Sequence, residues 1–174
     1  RPPKRPNIRV ILMMDVGGSM DPYAYLCSRL FTAATKANHF KELRCYYFHN
    51  CVYGTVYSTE DLEKSTPVND LLRECDKRYK LIMVGDALMA PFELFREFGA
   101  IDYGSRNRLP GIAWLLMLAQ HFERSIWINP EPSRYWPDST IEHIAGVFPM
   151  YPFTLDGLSD AMLYLSRSPE KKLR

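Results

Sequence analysis

This sequence has no run approaching the ~18 consecutive apolar residues that a membrane-spanning helix needs; IRVILMM, residues 8–14, is far shorter. No membrane insertion is expected, and the first residues lack the pattern of a signal peptide. Neither sign of charge is in excess, since 22 Lys+Arg stand against 20 Asp+Glu for a net charge of +2. Nucleic-acid partners usually leave a basic excess or stripe, so none is expected here. Cysteine is scarce: Cys27, Cys45, Cys51 and Cys75 form no C-x-x-C pair. They read as buried free thiols of a cytoplasmic protein rather than as disulfides or a zinc site. Repeats and low-complexity segments are missing too. So are G-x-x-x-x-G-K-[ST], G-x-G-x-x-G and G-x-S-x-G, which removes a phosphate loop, a dinucleotide loop and a nucleophile elbow.

What remains is a chain of 174 residues, the length of one domain. Basic residues gather at its ends, in RPPKRP and EKKLR. The expected organisation is a Pro-rich linker over 1–6, a domain over 7–166 and a basic tail over 167–174, as of one domain within a longer protein. Strands alternate with helices. Ile8 to Met14 reads as a central parallel strand covered on both faces. A helix is predicted from Pro22 to Ala37, with Pro22 at its first position and Tyr23, Leu26, Leu30, Ala33 and Ala37 on one face. LRCYYFHN and VYGTVYS read as an antiparallel hairpin turning at Asn50. Then come a helix over Val68 to Cys75, the strand KLIMV, a short helix PFELFREF, a deeply packed helix GIAWLLMLAQHF and the strand SIWIN. The helix STIEHIAGV, the strand FPMYPF and a closing helix with Leu155, Leu158, Met162 and Leu165 on one face complete the chain. The pattern predicts an α/β, Rossmann-like three-layer fold: a mostly parallel sheet with one antiparallel edge strand and helices on both faces.

In such sheets ligands bind beyond the carboxyl ends of the strands, where strand order reverses. Two apolar strands run into IRVILMM-DVGGS and KLIMV-GDALM, and so deliver Asp15 and Asp86 to that edge. Two carboxylates and the Ser19 hydroxyl are hard oxygen donors suited to Mg²⁺ or Mn²⁺. Against this stands a plainer role for each aspartate as a cap of the turn or helix that follows it.

Asp15-Val16-Gly17-Gly18-Ser19 after a strand, with Asp86 ending a later one, resembles the D-x-S-x-S motif of the von Willebrand factor A fold. The order of elements resembles that fold across nearly the whole chain. The tail SIWINPEP…FPMYPFTLDGL is similar to the CoxE-like group within it. The resemblance implies a metal-ion-dependent adhesion site at Asp15, Ser19 and Asp86. It also implies a non-enzymatic, protein-binding role beside MoxR-type AAA+ ATPases or their clients, in bacterial protein assembly or metal insertion. The motif's first serine is Gly17 here, and its threonine has no clear counterpart: Thr66 is the nearest candidate, with Val68 in its place by loop alignment. Water would fill the place beside Gly17, since Mg²⁺ readily keeps several waters.

Among other residues, Asp21 reads as a helix cap, and His39 and His49 as surface or packing residues. In NPEPSRYWPD, Arg134, Tyr135 and Trp136 are of the types enriched at interface hot spots, although packing of the loop on its own core also explains Trp136. No catalytic residue is assigned. Two other readings stand beside the metal-dependent one: a metal-free interaction domain with a degenerate site, and a metal-assisted phosphate-ester hydrolase using Asp15 and Asp86. Restoring serine at Gly17 is expected to raise metal affinity if the site once held an ion.

Overall fold

The computed structural model describes residues 8–36, 40–100, 108–137 and 139–167. The linker over 1–6, the tail beyond Arg167, and Ala37, His39 and Asp138 lie outside the described residues. Strands β1 (Arg9–Asp15), β2 (Glu42–Phe48), β3 (Thr55–Tyr57), β4 (Ser65–Pro67), β5 (Lys80–Val84), β6 (Arg124–Asn129) and β7 (Met150–Pro152) form one sheet. Their spatial order is β4-β3-β2-β1-β5-β6-β7. β1, β2, β5, β6 and β7 are parallel, while β3 is antiparallel to both β2 and β4.

The helices are α1 (Ala24–Lys36), α2 (Val68–Glu74), α3 (Pro91–Phe95), α4 (Gly111–His121), α5 (Ser139–Ala145) and α6 (Leu155–Ser166). Successive residues of a strand point to opposite faces, and β1 is apolar on both. Val10, Leu12 and Met14 pack with Cys27 of α1 and with Ala161 and Leu165 of α6. Ile11 and Met13 face the opposite core, built from Leu71 of α2, Leu94 of α3, Leu115 and Leu118 of α4 and Ile144 of α5. The result is the α/β, Rossmann-like arrangement of three layers that the alternation of elements predicts.

Four local expectations need correction. The segment after DVGGS is not one helix opened by Pro22: Gly18–Tyr23 is a 3-10 helix with Pro22 inside it, and α1 begins at Ala24. A 3-10 turn takes 3.0 residues rather than 3.6, so the buried stripe shifts. Cys27 is buried, Leu26 is 41% exposed and Ala33 is exposed. The hairpin's second strand is confined to Thr55–Tyr57, and Ser65–Pro67 adds an edge strand beyond it. In α4, Leu116 faces out while Trp114, Leu115 and Leu118 are buried. In α6, Leu155 is 87% exposed and Met162 also faces out; Gly157, Ala161 and Leu165 are the buried residues. Small residues decide this face. A Cβ on Gly157 would stand 2.1 Å from the Pro152 carbonyl oxygen, so glycine lets α6 close on β7.

Register places the functional edge. Met14 aligns with Val84, and Val84 with Ile128, so Asp15, Gly85 and Asn129 fall in one row across β1, β5 and β6. The chain leaves β1 for β2 on one side and later returns to β5 on the other. The Asp15–Asp86 gap therefore lies at the topological switch point.

Candidate metal centre

Asp15 and Asp86 are each only 2% exposed. Asp15 Oδ1 accepts the Asn50 backbone N–H at 3.0 Å, whereas Oδ2 is buried with no hydrogen-bond partner among the described residues. Burial pushes the Asp15 carboxyl up to about 8. The Asn50 N–H opposes that rise, and the neighbouring Asp86 and Glu93 charges add to it. Gly85 makes the crowding feasible: a Cβ there would stand 3.0 Å from Asp15 Cβ and 3.3 Å from the Trp127 ring.

The Asp86 side chain is held from two sides. Ser19 Oγ donates to Oδ2 at 2.5 Å, and the Leu88 N–H donates to Oδ1 at 3.1 Å. The second bond closes a side-chain turn of the kind aspartate favours, so Asp86 does not cap α3, whose flanking residue is Ala90. Between them Ala87 takes a left-handed φ of 57°, an arrangement that strains a residue with a Cβ. Thr140 holds it there, its hydroxyl donating to the Ala87 carbonyl at 2.8 Å and accepting from the Met89 N–H at 3.3 Å. The Asp15 carboxylate is held chiefly from across the site, by the Asn50 N–H, with a smaller backbone contribution from Val16 in its own turn.

The site brings Asp15, Ser19 and Asp86 together as the sequence suggests. Thr66 instead sits in the edge strand β4, paired with Val56 and three strands away from β1, and Val68 is a buried residue at the start of α2. Asp21 makes no cap: Gly17 flanks the 3-10 helix and no side chain caps it. Asp21 instead joins Glu60 and Asp15 in lining a cleft of about 100 Å³. That is well below the roughly 300–1,000 Å³ of pockets that enclose organic ligands. His49 is more than a surface residue, since its Nδ1 lies 2.7 Å from the Val16 carbonyl at the base of the glycine loop.

Gly17 has φ 80° and ψ 175°, a region essentially reserved for glycine. Space is not the reason, because a Cβ there would meet only the His49 ring, at 3.6 Å, with no atom of Asp15 or Asp86 within 4 Å. Gly17→Ser is therefore expected to cost about 1–3 kcal/mol through the backbone and to leave Mg²⁺ affinity no higher, as denaturant titration and calorimetry would register. That outcome would run against the expectation that serine at Gly17 raises metal affinity, and the same calorimetry decides between them.

Several residues of the site were not singled out in the sequence. Asn129, fully buried, donates from Nδ2 to the Asp86 carbonyl at 3.0 Å and accepts the Glu131 N–H on Oδ1 at 2.9 Å. Like Asp15, it is a polar residue ending an apolar parallel strand, and that was a usable signal. Glu93 is buried between the Asn50 Nδ2 and the Ala90 N–H, each donating at 2.8 Å. The Tyr23 hydroxyl donates to Glu131 at 2.8 Å, fastening the 3-10 helix that carries Ser19 to the loop after β6. In that loop Trp136 packs against the core and donates from Nε1 to the Glu131 carbonyl at 2.9 Å, while Arg134 and Tyr135 face out.

The donor set fits a hard divalent cation: a hydroxyl and two buried carboxylates, one of which has an oxygen without a hydrogen-bond partner among the described residues. Among the described residues no group of three or more His, Cys, Asp or Glu side chains is arranged to hold a metal ion. An ion here would accordingly rely on Ser19 and on water beside the two aspartates. Comparison of the chain with protein-family models, curated proteins and solved structures returns no match.

Proposed function

We propose that this chain is a non-enzymatic protein-binding domain whose carboxyl-edge site takes Mg²⁺ or Mn²⁺ between Asp15 and Asp86. A carboxylate of the partner protein completes the ion's coordination. The observation that carries this reading is Asp15, a buried carboxylate with one oxygen that has no hydrogen-bond partner among the described residues, placed beside a second buried carboxylate. Two such carboxylates repel when both are ionised, so Asp15 keeps its proton up to about pH 8, and a divalent ion would let both ionise. Ser19 donates to Asp86 in this structure, and its hydroxyl would be the third protein oxygen available to hold the ion. The resemblance to CoxE-like proteins extends the reading to a partner that is a MoxR-type AAA+ ATPase or its client.

Calorimetry with Mg²⁺ and Mn²⁺ tests the metal part. Wild type should bind either ion, and Asp15→Ala should show no measurable heat. An unmeasurable heat for wild type sinks the proposal. Gly17 favours a second reading, a metal-free interaction domain, because its glycine-only backbone commits the loop to a conformation that a hydroxyl-bearing residue does not share. On that reading, removing Asp15 leaves partner binding unchanged.

A further inference from the structure

The loop after β6 carries a charge that nothing in the metal site uses. Arg134 is exposed, and its guanidinium lies 4.7 Å over the centroid of the Tyr135 ring with Nη2 3.3 Å from the Tyr135 hydroxyl. Among the described residues it has no ion pair, whereas Arg44, Arg73, Arg78 and Arg108 each pair with a carboxylate. The nearby acid, Glu131, is engaged by Tyr23. Stacking on tyrosine pre-orients the planar fork, so less side-chain freedom is lost when it grips a carboxylate.

The loop's position is fixed relative to the metal centre. Asn129 ties its start to the Asp86 carbonyl, Tyr23 ties Glu131 to the 3-10 helix of Ser19, and the Trp136 indole closes it on Glu131. Arg134 follows Asn129 by five residues, at most about 18 Å of chain. That bound, with the reach of the Arg134 side chain, keeps the guanidinium within the span of a short extended peptide from the Asp86 loop.

We infer that the partner is recognised at two points: an acidic polypeptide segment places one carboxylate on the ion at Asp15–Asp86 and a second on the guanidinium of Arg134. This rests on the proposed metal-dependent reading and names the partner's chemistry. An ion there would offer a carboxylate an open coordination position and Arg134 an unpaired charge, so the pair selects a segment with two acids at a set spacing over one with a single acid.

The test uses the full chain with saturating Mg²⁺ and labelled peptides. One holds a single aspartate between glycines; the others hold two aspartates separated by one to six glycines. Fluorescence anisotropy should show one spacing binding at least tenfold tighter than the single-aspartate peptide. Arg134→Ala should remove that gain and leave the single-aspartate affinity within about twofold, as expected for an exposed side chain. Equal binding of all peptides, or a gain that survives Arg134→Ala, overturns the inference while leaving the metal-dependent reading intact. Absence of any Mg²⁺-dependent binding of the single-aspartate peptide overturns both.

Discussion

Asp15→Asn is expected to stabilise the metal-free protein at pH 8 while abolishing its affinity for Mg²⁺. In the folded state the Asp15 carboxyl titrates near 8, against 3.8 for an unhindered aspartate. Below pH 4 both folded and unfolded chains hold the proton, and no penalty arises. Between pH 4 and 8 only the folded chain retains it, so stability falls as pH rises. Above 8 the buried charge is carried in full. At about 1.4 kcal/mol per pKa unit, the accumulated loss is on the order of 5 kcal/mol. Asparagine removes the charge but places an amide at the oxygen that lacks a partner, costing about 1–2 kcal/mol. The net gain at pH 8 is then about 3 kcal/mol, and it shrinks toward zero near pH 5. Saturating Mg²⁺ reverses the order, because the ion binds the folded wild type and displaces its proton. Denaturant titrations at pH 5 and pH 8, with and without Mg²⁺, check each arm. A wild-type stability that does not fall between those pH values contradicts the account of Asp15.

Trp127→Ala carries the largest expected loss of stability, about 3–5 kcal/mol. The ring is fully buried in β6, edge-on to Phe48 at 6.3 Å and tilted against Phe148 at 5.7 Å. Its Nε1 donates to the Gly85 carbonyl at 2.8 Å, so the same residue fills the core and pins the turn that presents Asp86. Trp127→Phe separates these roles. It keeps most of the apolar volume but leaves the Gly85 carbonyl buried and unpaired, for about 1–3 kcal/mol. The phenylalanine variant should also bind Mg²⁺ more weakly at a pH and temperature where it is fully folded. If it binds as wild type does, the turn is held by Asn129 and Thr140 alone.

How much of this was legible depended on whether a residue's role was local. Asp15 and Asp86 were legible because each follows an apolar run that has no other use than a buried parallel strand. Asn129 follows the same rule and was passed over because amide side chains are less obvious ligands than carboxylates. The layers followed from the alternation of elements, whereas the switch point needed the strand order β2-β1-β5. The 3-10 helix at Gly18–Tyr23 was not legible, since Pro22 suits the first position of an α-helix equally well. Burial of Met20 and the reach of Ser19 to Asp86 decide for the tighter turn. Strand β4, Ser-Thr-Pro, has no apolar alternation, and its proline is tolerated because it lies at the sheet edge. On α6 the expected face holds for Leu158 and Leu165 but not for Leu155 and Met162, because the sheet there selects for smallness at Gly157 and Ala161. Asn50 joins the site through a contact with Asp15 35 residues away in sequence, and Glu93 through one with Asn50 43 residues away.

The central claim is that Asp15 and Asp86 hold a divalent cation. Anomalous diffraction from a crystal soaked in Mn²⁺ tests it most directly. The account predicts one strong peak bridging Asp15 Oδ2 and the Asp86 carboxylate, with Ser19 Oγ turned from Asp86 onto the ion. A gap with no peak at saturating Mn²⁺, and the Ser19–Asp86 hydrogen bond intact, would contradict it.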